Sequence, residues 1–142
     1  MMSHLYKTRV VAVGGRAGTV KSDDGILDLQ VALPASLGGK GGATNPEQLF
    51  AAGYAACFEN AVIHVTRRQE QKVRDDDIEV TAEVGLLPTE TGGFRLSVEM
   101  DVVIAGLDQA KAEEVVRAAH EVCPYSNAVK GNIDVVLNVS VK

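Results

Sequence analysis

The chain has 142 residues, a length for one domain, and its 46% hydrophobic and 23% charged content is that of an ordinary globular chain, not a disordered or collagenous one. A formal charge of −5, no basic cluster beyond Arg67-Arg68, no Trp and only 4% aromatic residues exclude both an electrostatic grip on nucleic acid and a stacking platform for single strands. No apolar run of 18 residues suggests a membrane span, and the opening Met1-Met2-Ser3-His4 lacks the basic and apolar regions of a signal peptide, so the expected location is the cytoplasm.

The first third reads as a meander. Leu5 to Val13 alternates and is β-branched, Gly14-Gly15-Arg16-Ala17-Gly18 punctuates it, Thr19 to Ser22 precedes an Asp24-Gly25 turn, and Ile26 to Leu33 continues as a strand. The glycines at 38, 39, 41 and 42 then mark a loop of low intrinsic order from Pro34 to Ala43. Asn45 supplies an N-cap oxygen, Pro46 fills the first helical position and Glu47 sits at the positive end of the helix dipole, which predicts a helix from about Pro46 to about Glu70. Its middle, Leu49 to Val65, is apolar nearly all round and rich in Ala, so it should lie buried at the centre.

Asp75-Asp76-Asp77 marks a solvated turn, without the interleaved spacing of a calcium loop. Ile78 to Leu86 and Phe94 to Ile104 alternate on either side of a Pro88 to Gly93 turn, predicting a long antiparallel hairpin. Asp108 is the expected N-cap of a second helix carrying Val115, Val116, Ala119 and Val122, and Pro124 closes it by holding Cys123 out of the helical region. A last strand places Ile133, Val135, Leu137, Val139 and Val141 on one face. The order points to one α+β domain over residues 1–142, with antiparallel sheets around a buried central helix and no βαβ signature. The helix is more apolar than one small sheet needs, so a second copy of the chain is expected to cover its remaining face.

Cys57 lies in the apolar helix and Cys123 at the end of the next one. In a reducing compartment both should be thiols, a transient catalytic disulfide being the exception. Their separation fits no zinc pattern, and His4, His64 and His120 are scattered; His120, three residues before Cys123, leaves only a minor metal reading. The glycine-rich turn around Arg16 lacks the pattern of a nucleotide cradle. Taken singly, each of these residues has a plain reading: a cysteine as core filling, Glu47 as a dipole residue, Arg16 as a solvated turn residue, Tyr54 as core, Tyr125 as pocket wall, and His64 and His120 as ordinary helix residues.

Taken together they resemble a family. The Arg16 turn, the run from Asn45-Pro46-Glu47-Gln48-Leu49-Phe50 through Gly53-Tyr54 to Cys57, and Cys123-Pro124-Tyr125-Ser126-Asn127-Ala128 are similar, in order and over essentially the whole chain, to the organic hydroperoxide resistance branch of the OsmC-like proteins. The resemblance implies an intertwined homodimer and a thiol peroxidase without cofactor or metal, acting on organic hydroperoxides and recycled by a dihydrolipoyl protein or small dithiol. It implies that Cys57 is the peroxidatic thiol, Cys123 the resolving thiol, and Arg16 and Glu47 the polar pair that activates Cys57. Ala17 departs from the polar residue expected after the arginine.

The residue chemistry is compatible with these roles. A free thiol with a pKa of about 8.5 is only a few per cent thiolate at neutral pH and less when buried, so Cys57 needs a cation, which Arg16 held by Glu47 can supply. Apolar neighbours such as Phe50 and Phe58 favour a substrate with a hydrocarbon tail, each buried CH₂ contributing roughly 0.8 kcal/mol. Ten positions of helix separate Glu47 from Cys57 by about 15 Å, so Arg16 and Glu47 are expected to serve the Cys57 of a partner subunit. Two other readings stay open: an OsmC-branch peroxidase of broader peroxide range, and a non-catalytic redox-sensing dimeric module.

Overall fold

The computed structural model describes residues 2–142; Met1, part of the opening read for a leader, lies outside the described residues. The chain divides into two compact units, one ending at Leu49 and the other spanning Phe50–Lys142.

The first unit is a three-stranded antiparallel meander of β1 (Val10–Val13), β2 (Thr19–Ser22) and β3 (Asp28–Gln30). The strands are shorter than their alternation suggests. Residues 5–9 precede β1 outside any strand, with only the Arg9 carbonyl accepting a backbone N–H, that of Asp23 at 3.0 Å. After β2, the Asp24-Gly25 turn consumes Ile26 and Leu27: the Ile26 N–H donates to Asp24 Oδ1 at 3.0 Å and the Leu27 N–H to Ser22 Oγ at 3.0 Å. Side-chain acceptors so placed compete with the sheet ladder, and β3 starts only at Asp28. The glycine-rich stretch that follows is bonded rather than loose. It contains a 3₁₀ turn at Ala35–Leu37, and the N–H groups of Gly39 and Gly41 donate to Pro34 and Leu33, each at 3.0 Å.

Helix α1 (Pro46–Arg68) starts in the first unit and continues into the second. Asn45 Oδ1 accepts the Gln48 N–H at 2.9 Å, the N-cap bond expected ahead of Pro46. The helix ends two residues short of the expected Glu70. Glu70 takes a left-handed φ of 55°, its N–H donates to Arg67 O and the Gln71 N–H reaches Thr66 O, a Schellman closure with Glu where Gly is usual.

In the second unit, β4 (Ile78–Pro88) and β5 (Phe94–Ile104) form the expected hairpin, with Val80 opposite Val102, Ala82 opposite Met100 and Val84 opposite Val98. Along β5, Val98, Met100, Val102 and Ile104 are buried while Glu99 and Asp101 are exposed. Helix α2 (Gln109–Val122) is capped by Asp108, whose Oδ1 accepts the Lys111 N–H at 2.8 Å. Two features depart from the sequence reading. Pro124 not only closes α2 but opens a further short helix, α3 (Pro124–Val129), as its first residue. The last strand, β6 (Val136–Val141), pairs with β5 in parallel, so β5–α2–α3–β6 is a crossover, whereas no βαβ unit was expected.

The core of this unit joins one face of α1 (Tyr54, Phe58, Ala61, Val62, Val65) to the inner faces of β5 and α2 and to Cys123. Full burial of a side chain such as Phe58 contributes about 1.5–3 kcal/mol. The opposite row of α1, Ala52, Ala56, Asn60 and His64, is exposed in the single chain.

Candidate functional site

The first unit carries a charged pair. Arg16 sits on a 3₁₀ turn at Gly15–Ala17, entered through Gly14 with φ 86°. Left-handed backbone of this kind favours glycine. The exposed Ala17 adds no side-chain bond, but its N–H closes the turn onto the Gly14 carbonyl at 3.3 Å. The Arg16 guanidinium donates to both Glu47 carboxylate oxygens, Nη1 to Oε1 at 2.7 Å and Nη2 to Oε2 at 3.1 Å. This bidentate fork fixes the plane and direction of the guanidinium. The hydrogen bond to Glu47 raises the Arg16 pKa, burial opposes it and the charge of Glu47 adds to the rise, so the group stays cationic.

The second unit carries the thiol pair. Cys57 projects from α1 and is half-buried, while Cys123 at the α2–α3 elbow is fully buried. The elbow follows from Cys123-Pro124. Extended backbone at Cys123 (φ −67°, ψ 123°) ends one helix, its N–H still bonding Ala119 O, and its carbonyl accepts the Asn127 N–H in the next. The two sulfurs lie 3.9 Å apart and are not bonded. Since a disulfide needs about 2.05 Å, bond formation requires them to close by about 1.9 Å.

Burial pushes the Cys57 thiol up, the neighbouring Cys123 sulfur adds to the rise, and a hydrogen bond from the Tyr125 N–H opposes it. That N–H belongs to the first turn of α3, where the helix has no partner of its own for it. Sequence reasoning missed this donor, because it depends on α3.

Aromatic rings surround the pair. Tyr54 contacts Phe50, Phe58 and Tyr125 with centroids 6.1, 6.4 and 5.5 Å away, and Phe50 meets Tyr125 edge-on at 6.2 Å. The Tyr125 ring lies over Gly53, where a Cβ would fall inside contact distance of the hydroxyl and 3.0 Å from Cζ. Tyr54 is core, as its sequence suggested, yet its hydroxyl is bonded to Ser126 Oγ at 2.7 Å, and Ser126 Oγ lies 2.9 Å from His120 Nδ1. Ser126 was not singled out in the sequence, and His120 is more than an ordinary helix residue. Among the described residues, no group of three or more His, Cys, Asp or Glu side chains is placed to hold a metal ion, and no helix is long and apolar enough to cross a membrane.

Three comparisons bear on this arrangement. The family model described as OsmC-like protein matches residues 39–138. The organic hydroperoxide resistance protein OhrB of Bacillus subtilis is 49% identical over 137 residues, covering 95% of this chain and 98% of that protein. Among solved structures, an organic hydroperoxide resistance protein from Legionella pneumophila is 55% identical with a TM-score of 0.94, over 98% of this chain and 100% of that one. A Vibrio cholerae protein described as a putative organic hydroperoxide resistance protein, with captopril bound in one of its active sites, is 50% identical with a TM-score of 0.91, over 99% of this chain and 94% of that one.

Proposed function

The chain belongs to the organic hydroperoxide resistance branch of the OsmC-like family, and from that premise we propose that it is a two-cysteine thiol peroxidase that reduces organic hydroperoxides to alcohols. The observation that carries the reading is the pair of unbonded sulfurs 3.9 Å apart, one half-buried and one fully buried. A peroxide arriving from outside meets Cys57, not Cys123, which supports Cys57 as the peroxidatic thiol and Cys123 as the resolving one.

The Cys57 thiolate attacks the terminal peroxide oxygen, the O–O bond breaks, and the departing alkoxide takes up a proton to leave as alcohol. Cys57 is left as a sulfenic acid, two electrons more oxidised. Cys123 then attacks that sulfur, an S–S bond forms as the S–O bond breaks, and the hydroxide leaves as water with the Cys123 proton. An external dithiol, of dihydrolipoyl type, resets the pair by exchange. Phe50, Tyr125 and the rings behind them form an apolar wall that suits a substrate with a hydrocarbon part. The Vibrio cholerae relative, with a small organic molecule in one of its active sites, is in keeping with such a wall.

Thiolate formation needs help, since burial and Cys123 both push the Cys57 pKa up. The oriented Arg16–Glu47 fork is the group suited to provide it, and the same guanidinium can stabilise charge on the breaking peroxide. Glu47 and Cys57 lie on one continuous helix, ten residues or about 15 Å of rise apart. The fork therefore serves Cys57 of a second copy in a homodimer, whose contact would also cover the outward Ala52 and Ala56.

Turnover of tert-butyl hydroperoxide and of hydrogen peroxide, with dihydrolipoamide as reductant, tests the proposal. The organic peroxide should be consumed faster, Cys57→Ser should abolish turnover, and Cys123→Ser should give one oxidation followed by overoxidised sulfur. Absence of turnover with an intact Cys57–Cys123 disulfide cycle would leave a sensing module instead.

A further inference from the structure

Two rungs connect α1 to the α2–α3 elbow. One is the sulfur pair, Cys57 to Cys123. The other is Tyr54 to Ser126, a 2.7 Å bond between buried hydroxyls. Tyr54 lies three residues before Cys57 and Ser126 three after Cys123, each at the spacing of neighbours on a helix face. The hydroxyl rung is extended by His120, three residues before Cys123 on the other arm of the elbow, through the 2.9 Å contact of Nδ1 with Ser126 Oγ. Ser126 thus ties both helices flanking Cys123 to the helix that bears Cys57.

The hydrogen-bond bookkeeping gives the chain a direction. If His120 Nδ1 donated to Ser126 and Ser126 to Tyr54, the wholly buried Tyr54 hydroxyl would keep a proton without a partner. In the reverse order both hydroxyl protons are used: Tyr54 O–H donates to Ser126 Oγ, Ser126 O–H donates to Nδ1, and the ring carries its proton on Nε2. That nitrogen is the free end of the chain, and His120 also lines a cavity of about 260 Å³ with Glu113, Arg117 and Leu137.

We propose that Tyr54, Ser126 and His120 form a positioning chain that sets the reach of Cys123 to Cys57 and thereby the rate at which the Cys57 sulfenic acid is resolved. The inference rests on the peroxidase reading for its biological meaning, but the geometry concerns only the second half-reaction. Cys123 has to cross about 1.9 Å to bond Cys57. A misplacement of about 1 Å in such a step costs as much as 10²-fold in rate. None of the three side chains has to touch the peroxide.

The test follows the lifetime of oxidised Cys57 in the full-length protein. Wild type, Tyr54→Phe, Ser126→Ala, His120→Ala and His120→Asn are mixed with one equivalent of tert-butyl hydroperoxide. Sulfenic acid is trapped with dimedone at intervals and the disulfide is counted by mass; thermal unfolding confirms that each variant is folded. Ser126→Ala, which removes both bonds, should lengthen the sulfenic lifetime at least tenfold relative to its rate of formation and accumulate sulfinic acid. Tyr54→Phe and His120→Ala should do so less, and His120→Asn, which places an amide acceptor where Nδ1 stood, should return to within about threefold of wild type. Folded variants that resolve at the wild-type rate, or His120→Asn as slow as His120→Ala, overturn the proposal.

Diamide in place of the peroxide separates this inference from the function it rests on, because its adduct on Cys57 is resolved by the same Cys123 attack. A wild type inert to hydroperoxide yet resolving the adduct faster than Ser126→Ala sinks the peroxidase reading and keeps the positioning chain. Equal resolution of the adduct by the two proteins sinks the chain.

Discussion

Gly53 is the position where the helix and the thiol site place opposite demands on one residue. A glycine in a helix interior costs about 0.5–1 kcal/mol relative to alanine, so Gly53→Ala on its own should stabilise α1 by that amount. The structure opposes it: the new methyl would press on the Tyr125 hydroxyl and lie 3.0 Å from Cζ, and an ordinary carbon contact of about 3.5–4.0 Å requires the ring to retreat by about 0.5–1 Å. Retreat weakens two aromatic contacts, to Tyr54 at 5.5 Å and to Phe50 at 6.2 Å, each contributing about 0.5–1.5 kcal/mol. Gly53→Ala should therefore be neutral to about 2 kcal/mol destabilising. In a Tyr125→Ala background the same change should stabilise by about 0.5–1 kcal/mol, leaving a coupling of about 1–3 kcal/mol between the two sites. Urea denaturation of the four proteins of this cycle measures it, and iodoacetamide alkylation at neutral pH reports on the thiol. Displacing Tyr125 loosens the N–H that lowers the Cys57 pKa, so alkylation should slow in Gly53→Ala. A Gly53→Ala effect that is the same with and without the Tyr125 ring would refute the reasoning.

Two further outcomes follow from the geometry. The Cys57 pKa is raised in the folded chain, by burial first and by Cys123 second, so the folded state holds this proton where the unfolded chain, with a thiol pKa of about 8.5, has lost it. Once Arg16→Ala removes the opposing fork, the resulting stabilisation is complete below about pH 8.5 and is lost as pH rises through the folded value; between pH 7.5 and 9.5 the stability of Arg16→Ala should fall more steeply than that of Arg16→Ala/Cys57→Ala, and parallel curves would contradict it. Asp108→Ala removes the acceptor of the Lys111 N–H and should cost about 1 kcal/mol, read as a drop in Tm of a few degrees. The cap lies at the opposite end of α2 from Cys123, about 20 Å away along the helix, so Cys57 alkylation should be unchanged.

Most elements were legible because their signals are local. Asn45-Pro46, Asp108 and the alternation of β4 and β5 each name their structure within a few residues, and each was found where expected. What stayed hidden depends on partners distant in sequence. Alternation in Leu5 to Val13 describes a strand-like segment, but pairing begins only at Val10. The contact of Gly53 with Tyr125 spans 72 residues; its one local trace is a glycine inside an otherwise alanine-rich helix. Ser126 stands in the Cys123-Pro124-Tyr125-Ser126 run and His120 three residues before Cys123, but neither position shows that they bond to each other and to Tyr54, which happens only when the elbow folds onto α1.

The parallel pairing of β6 is the deepest of these. Alternation shows which face of a strand is buried but not which way its neighbour runs, and Pro124 was read as the end of one helix when it is equally the start of another. The two omissions are connected. Strands running in the same direction cannot be joined by a hairpin, so the chain leaving β5 must travel back along the sheet before β6 can begin. It does so as α2, and the elbow at Cys123-Pro124 turns it through α3 toward the start of β6. That return path lays Cys123 and Ser126 against Cys57 and Tyr54. An antiparallel β6 would have needed no such crossover, and Cys123 would have had no reason to arrive at the central helix. The feature of the fold least visible in the sequence is thus the one that brings the two cysteines together.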